Sequence, residues 1–127
     1  MKNILCFLVS MFLFACSADA NRLEGKEFVW EDAPNGVEVT IGFDKKENAF
    51  YGKATVNRYF GTYKLDGQNI SLDLAGSTMM MGPQDLMDVE MRYLQVLPNV
   101  KTFKLENDVL ELYVSEQDKL VFRLLKN

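Results

Sequence analysis

The residue types behind most enzymatic chemistry are scarce in this chain. Its 127 residues include no histidine. That excludes imidazole bases, Ser-His-Asp and Cys-His relays, and the usual zinc and copper sites. The only two cysteines, Cys6 and Cys16, stand close to the N-terminus. A short list of candidates remains. Met79-Met80-Met81 is a run of thioethers, soft ligands that suit Cu(I). Strand alternation would set Met79 and Met81 on one face and Met80 on the other, with no imidazole or thiol to complete a shell. Core packing is the commoner use of methionine. Ser77 would need a lysine beside it to become a nucleophile, and no spacing here fixes one. Asp44, Glu47 and Asn48 lack the glycine and acidic spacing of an EF-hand loop. Tyr51, Tyr59 and Tyr63 suit the mouth of a ligand cavity, and equally a set of cross-strand aromatic pairs. Glu90 is an acid inside an apolar helical stripe. Such a position can hold a general acid, but more often holds a carboxylate satisfied by hydrogen bonds. These residues form no catalytic set, no metal shell and no cofactor motif. The expectation is a protein that is not an enzyme and carries no cofactor.

Cys16 has a different chemistry in view. Lys2 precedes an apolar run from Ile4 to Phe14, broken only by Ser10. The run is too short to span a bilayer, which takes about 20 apolar residues. A charged start, a short apolar core and a small-residue cut site make a secretory signal peptide. Two cut sites compete. Leu13-Phe14-Ala15-Cys16 resembles a bacterial lipobox, in which the cysteine is lipidated and becomes the new N-terminus, although Phe14 is bulky for that motif. Ala18-Asp19-Ala20 is an A-x-A site that would release a soluble chain starting at Asn21. The lipobox reading gives residues 1–15 as leader, 16–23 as a short tether and 24–127 as the domain. A cysteine with two or three acyl chains is stably anchored to a membrane. Ser17, rather than aspartate, follows Cys16, which favours the outer membrane, facing the periplasm.

Net charge is −4, and no basic run exceeds Lys45-Lys46. A nucleic-acid surface is not expected. Hydrophobic residues make up 48% and charged residues 25%, as in an ordinary globular domain. With Cys16 lipidated no free thiol remains to form a disulfide, so stability must come from the core.

The elements that would position these residues are mostly short strands. Val37, Val39, Ile41 and Phe43 alternate with Glu38, Thr40 and Gly42. Ala49 to Val56 and Tyr59 to Leu65 are two further candidates around a turn at Asn57-Arg58. Asp66-Gly67 signals a hairpin. Ile70, Leu72 and Leu74 alternate, as do Leu110, Leu112 and Val114, and Leu120, Phe122 and Leu124. With Phe28–Trp30 and Phe103–Leu105 there are about eight strands at short spacing, the pattern of an antiparallel barrel or sandwich. One helix is expected from Pro83 to Leu97, with proline at its first position and Pro98 ending it. Leu86, Met87, Met91, Tyr93, Leu94 and Leu97 fall on its apolar stripe, with Glu90 among them. Such a barrel should be filled by its own side chains, including Phe43, Leu72, Met80, Leu94, Leu112 and Phe122. Buried Glu90 should then accept hydrogen bonds from the Asn57–Tyr59 or Ser77–Met80 segments.

Asn57-Arg58-Tyr59-Phe60-Gly61-Thr62-Tyr63 resembles the N-x-Y-x-G-x-Y stretch of the META domain, the family of the heat-shock protein HslJ. Ser77-Thr78-Met79-Met80 resembles its S-T-x-M motif. Leu86-Met87, Glu90, Tyr93-Leu94 and Leu97 resemble the helix that follows, and Leu105, Asp108, Leu110 and Leu112 the next hairpin. The likeness runs from about Glu24 to the C-terminus. Asn57, Tyr59, Gly61, Tyr63, Thr78, Met80 and Glu90 are thereby marked as structural motif residues. Many members carry a cysteine just before the asparagine and another in the S-T-x-M segment. Here Val56 and Gly82 stand in those places. The resemblance implies a mainly β (α+β) fold, a small barrel-like sheet with one packed helix. It also implies a bacterial envelope protein, often a lipoprotein and sometimes linked to stress, with no established catalytic mechanism. A partner in the envelope, or a small apolar ligand inside the barrel, are the two non-enzymatic readings.

Overall fold

The computed structural model describes residues 22–126. The expected leader, residues 1–15, together with Cys16 and most of the expected tether, lies outside them. Eight strands form one closed antiparallel barrel, each strand bonded to its neighbours in sequence. They are β1 (Glu27–Trp30), β2 (Thr40–Phe43), β3 (Ala49–Ala54), β4 (Asn57–Asp66), β5 (Asn69–Ser77), β6 (Thr102–Glu106), β7 (Val109–Tyr113) and β8 (Lys119–Lys126). Among the described residues there is one α-helix, α1 (Gln84–Val96), which lies between β5 and β6 and runs into a 3₁₀ turn at Leu97–Asn99. β1 closes the barrel against β8, with Trp30 opposite Phe122 and a bulge between Glu27 and Phe28.

Alternation decides which residues enter the core. Along β4, Asn57, Tyr59, Gly61 and Tyr63 point inward, while Arg58, Phe60, Thr62 and Lys64 point out. The interior is filled largely with rings. Phe28, Phe43, Phe50, Tyr59, Tyr63, Tyr93 and Phe122 are all buried. Phe43 meets Tyr63 edge to face at 5.1 Å, and Tyr59 meets Tyr93 at 5.5 Å. Leu23, the last residue of the expected tether, is itself fully buried in this core, so the packed domain begins earlier than Glu24.

Several sequence expectations shift. Asn57-Arg58 is not a turn: Asn57 opens β4, and the chain reverses at Thr55-Val56, with Ala54 opposite Asn57. Thr55 takes the positive φ of +64° there, a conformation that usually favours glycine. Met79–Met81 is a loop, not a strand, so the alternation expected for it does not occur. Phe43, Leu72, Leu112 and Phe122 are buried and Leu94 is half-buried, but Met80 is largely exposed. Its main chain is bonded to the barrel, which leaves the side chain outside. Pro83 is the N-cap of α1 rather than its first residue. The buried face of α1 is Val89, Glu90 and Tyr93, while Met91 points to solvent. The three tyrosines do not share a cavity mouth, because Tyr59 and Tyr63 are in the core and Tyr51 is on the outer surface.

Candidate functional site: a polar latch under the helix

β4 brings Asn57 beneath α1, and the turn before it places two more donors there. Asn57 N donates to Glu90 Oε1 at 2.8 Å, and Val56 N donates to the same oxygen at 3.1 Å. Asn57 Nδ2 donates to Glu90 Oε2 at 2.7 Å and to Met80 O at 3.1 Å. Asn57 Oδ1 accepts from Met80 N at 2.7 Å and from Thr78 Oγ1 at 2.9 Å. Every hydrogen-bonding position of this amide is therefore occupied. Thr78 Oγ1 in turn accepts from Arg58 N at 3.1 Å. Thr55 Oγ1 lies 3.0 Å from Leu86 O and 3.5 Å from Glu90 Oε1. It has a single proton, and the shorter bond to Leu86 O fits it better. Asn57 thus ties three separate segments together: the β3–β4 turn, the loop after β5, and the helix.

Of the two segments expected to bond Glu90, the first does so through Asn57. The second does not reach it: Thr78 and Met80 bond Asn57 instead. Thr55 and Val56 were not foreseen as partners. A threonine at the position where such a tight turn favours glycine carries no local signal.

Next to the latch lies a phenol pair. Tyr59 OH donates to Thr40 O at 2.6 Å, which uses its only proton. The 2.6 Å contact between Tyr59 OH and Tyr93 OH must then be donated by Tyr93. Burial pushes both phenols above the usual tyrosine range. Two glycines make room for these rings. A Cβ on Gly52 would lie 2.0 Å from Thr40 O and 2.7 Å from Tyr59 OH. A Cβ on Gly61 would lie 2.0 Å from Asp73 O and 2.7 Å from the Phe50 ring. The inward N-x-Y-x-G-x-Y residues thus have distinct tasks. Asn57 holds the helix, Tyr59 anchors Tyr93, Gly61 admits Phe50, and Tyr63 packs on Phe43. Tyr93, one turn beyond Glu90 on the same helix face, was in the expected apolar stripe, but nothing marked its hydroxyl as part of the site.

Chemically, this arrangement holds rather than reacts. Both oxygens of Glu90 are engaged, and no buried side-chain nitrogen or oxygen among the described residues lacks a partner. Ser77 ends β5 opposite Tyr59. Asp44 Oδ1 accepts from Lys46 N at 2.9 Å within its turn. Among the described residues no group of three His, Cys, Asp or Glu side chains is placed to hold a metal. The large depressions are on the surface. One of about 550 Å³ lies beside the β5–β6 junction and is lined by Gln68, Lys101, Phe103 and Tyr113 among others. No described helix is long and apolar enough to cross a membrane.

The META domain profile matches residues 15–127 of this chain, which therefore belongs to the META domain family. That is not a known enzyme family. A solved structure of a protein from Burkholderia xenovorans is 20% identical, with 83% of this chain and 85% of that one aligned at a TM-score of 0.69. A second solved protein is 21% identical over 81% of this chain and 92% of that one, at a TM-score of 0.61. A DUF4847 family protein from Bacteroides vulgatus is 17% identical, with 67% and 57% covered and a TM-score of 0.54. At these identities the likeness is one of fold. No curated protein matches the chain.

Proposed function

We propose that this META domain protein is a non-catalytic lipoprotein of the cell envelope, acting through protein or envelope contacts under stress in the manner of HslJ. On this reading it crosses the inner membrane, is cut before Cys16, and is held by acyl chains on Cys16 at the outer membrane, facing the periplasm. The observation that carries the reading is the filled interior. Phe28, Phe43, Phe50, Tyr59, Tyr93 and Phe122 occupy the space that a carrier of this size would leave for an apolar ligand. The acid that could have served catalysis has both oxygens occupied in the latch. What such a molecule offers to others is its surface.

Two measurements test this. Mass spectrometry of the mature protein should find an acylated Cys16 at the N-terminus, whereas a chain beginning at Asn21 would remove the anchor from the proposal. Crosslinking in intact cells should capture the same envelope protein reproducibly. A hydrolytic activity lost in a folded Glu90→Gln variant would move the protein into the enzymes.

A further inference from the structure

Methionine normally sits inside a protein, and among the described residues the distribution is the reverse. Met79 is 89% exposed, Met80 57%, Met81 91% and Met91 54%, while Met87 is half-buried. The core cluster contains no methionine and is built of Phe, Tyr, Leu, Ile, Val and Ala. No cysteine lies among the described residues. The thioethers are therefore the most readily oxidised side chains there, and three adjoining ones stand together in the loop between β5 and α1. This loop is fixed at its base. Met80 N and O are both bonded to the Asn57 amide, and Gly82 packs against Val56. Its main chain is held while its methionine side chains are exposed.

We infer that Met79, Met80 and Met81 form a surface site of oxidative modification, at which a two-electron oxidant such as hypochlorous acid is consumed without loosening the fold. A sulfur lone pair takes the oxygen of hypochlorous acid. The S–O bond forms as the O–Cl bond breaks, chloride leaves, and the proton passes to water. Sulfur is oxidised by two electrons and chlorine is reduced by two. Sulfoxidation usually harms a protein by placing a polar group in a packed core. Here the new S–O dipoles point into solvent, and the Asn57–Glu90–Met80 bonds use only main-chain atoms of the loop. The surface beside the helix changes from apolar to polar, and methionine sulfoxide reductases can restore it. The inference stands apart from the envelope reading, since it uses only exposure and the latch.

The experiment is a titration of the intact chain with hypochlorous acid, followed by peptide mass mapping and thermal melts. Met79 and Met81 should gain oxygen about fivefold faster than Met87, in line with exposure. The melting midpoint should stay within error of the parent until Met87 is modified. A variant carrying M79L, M80L and M81L should fold and melt like the parent and consume correspondingly less oxidant. Met87 reacting as fast as Met79, or a midpoint that falls while only the loop is oxidised, would overturn the inference. So would a leucine variant that consumes as much oxidant as the parent.

Discussion

The barrel is closed in one way beneath α1 and in another at the β5–β6 junction. Beneath the helix, side chains do the joining: Asn57 bonds Glu90 and both main-chain groups of Met80, and Tyr93 reaches through Tyr59 to Thr40. At the junction, main chain alone does it. Asn69 opposite Thr102 is the sole register pair, flanked by Ile70 N to Lys101 O and Phe103 N to Gln68 O, both at 2.9 Å. A main-chain bond accepts almost any residue. A buried side-chain network accepts very few, because each unmatched group costs about 1–3 kcal/mol. That difference is visible in this chain: the N-x-Y-x-G-x-Y residues of β4 are those with buried side-chain tasks, while no comparable set joins β5 to β6.

The largest effect should come from Asn57→Ala. It would remove both Nδ2 bonds and leave Met80 N and one oxygen of Glu90 without their partner, at a cost of about 4 kcal/mol. Glu90→Ala leaves Val56 N, Asn57 N and one of the two hydrogens on Asn57 Nδ2 unmatched and should cost about 3 kcal/mol. Glu90→Gln should cost less, because one amide oxygen can still accept from Asn57 N. Thr102→Ala at the junction should change stability by no more than about 0.5 kcal/mol. Denaturant unfolding of the four variants makes the comparison. If Thr102→Ala proves as damaging as Asn57→Ala, the two closures do not differ as argued.

The latch can also be strengthened. A Cβ on Gly82 would lie 3.6 Å from Val56 Cβ, within the range of disulfide Cβ pairs. These are the two positions at which relatives of this chain are expected to carry cysteine, and the fold sets them side by side. In this chain valine fills the place, with its Cγ2 2.7 Å from where that Cβ would be, so Gly82→Ala alone should be destabilising. A Val56→Cys, Gly82→Cys double variant should oxidise spontaneously and gain about 3 kcal/mol over its reduced form. Peptide mass mapping for a 56–82 cross-link, with paired melts in oxidised and reduced buffer, reads both. Absence of the 56–82 cross-link after air oxidation would mean that the loop does not hold its place over Val56.

Much of this arrangement was legible beforehand, and the exceptions have physical causes. The strands were readable because one face of each is buried, so period-two alternation survives in Ile70-Leu72-Leu74 or Leu110-Leu112-Val114. The barrel class followed from their spacing. Glu90 was readable as an acid where the helix phase demanded an apolar residue. Asn57 carried two readings: as a bond donor to Glu90 it holds, and as part of a turn it fails, because asparagine is common in turns and its other partners lie more than 20 positions away in the chain. Thr55 hid the true turn by taking a positive φ without being glycine. The methionine run suggested core because methionine is usually there, and only the anchoring of Met80's main chain explains its exposure. The junction left no trace, because main-chain pairing has no residue signature.

Within the phenol pair the two hydroxyls are not equivalent. Tyr59→Phe removes the donor to Thr40 O and strands the buried Tyr93 hydroxyl, for about 2 kcal/mol. Tyr93→Phe removes only the bond it donates and leaves Tyr59 to Thr40 intact, for about 1 kcal/mol. Equal losses in denaturant unfolding would reverse the assigned direction of the bond or show that Thr40 O gains little from it.

The smallest effect belongs to the outer surface of β7 and β8, where a charge pair joins neighbouring strands that main-chain bonds already hold. Lys119 Nζ lies 2.6 Å from Glu111 Oε2, and Tyr113 OH donates to Glu111 Oε1 at 3.0 Å. The bond from Lys119, more than that from Tyr113, holds the Glu111 carboxyl below the usual carboxylate range. A carboxyl whose folded pKa lies below its unfolded one stabilises the fold fully above the unfolded value. That contribution disappears as pH falls through the folded value. For a pair so near solvent that contribution is small, because water and salt screen it. Lys119→Met should raise the Glu111 midpoint in an NMR titration. Its cost should be measurable at neutral pH, shrink in high salt, and vanish once Glu111 is protonated in both proteins. Lys119 also sits 5.5 Å from the centre of the Tyr113 ring. A cost that persists in acid would therefore assign the loss to that cation–ring contact, and the carboxylate would have no part in it.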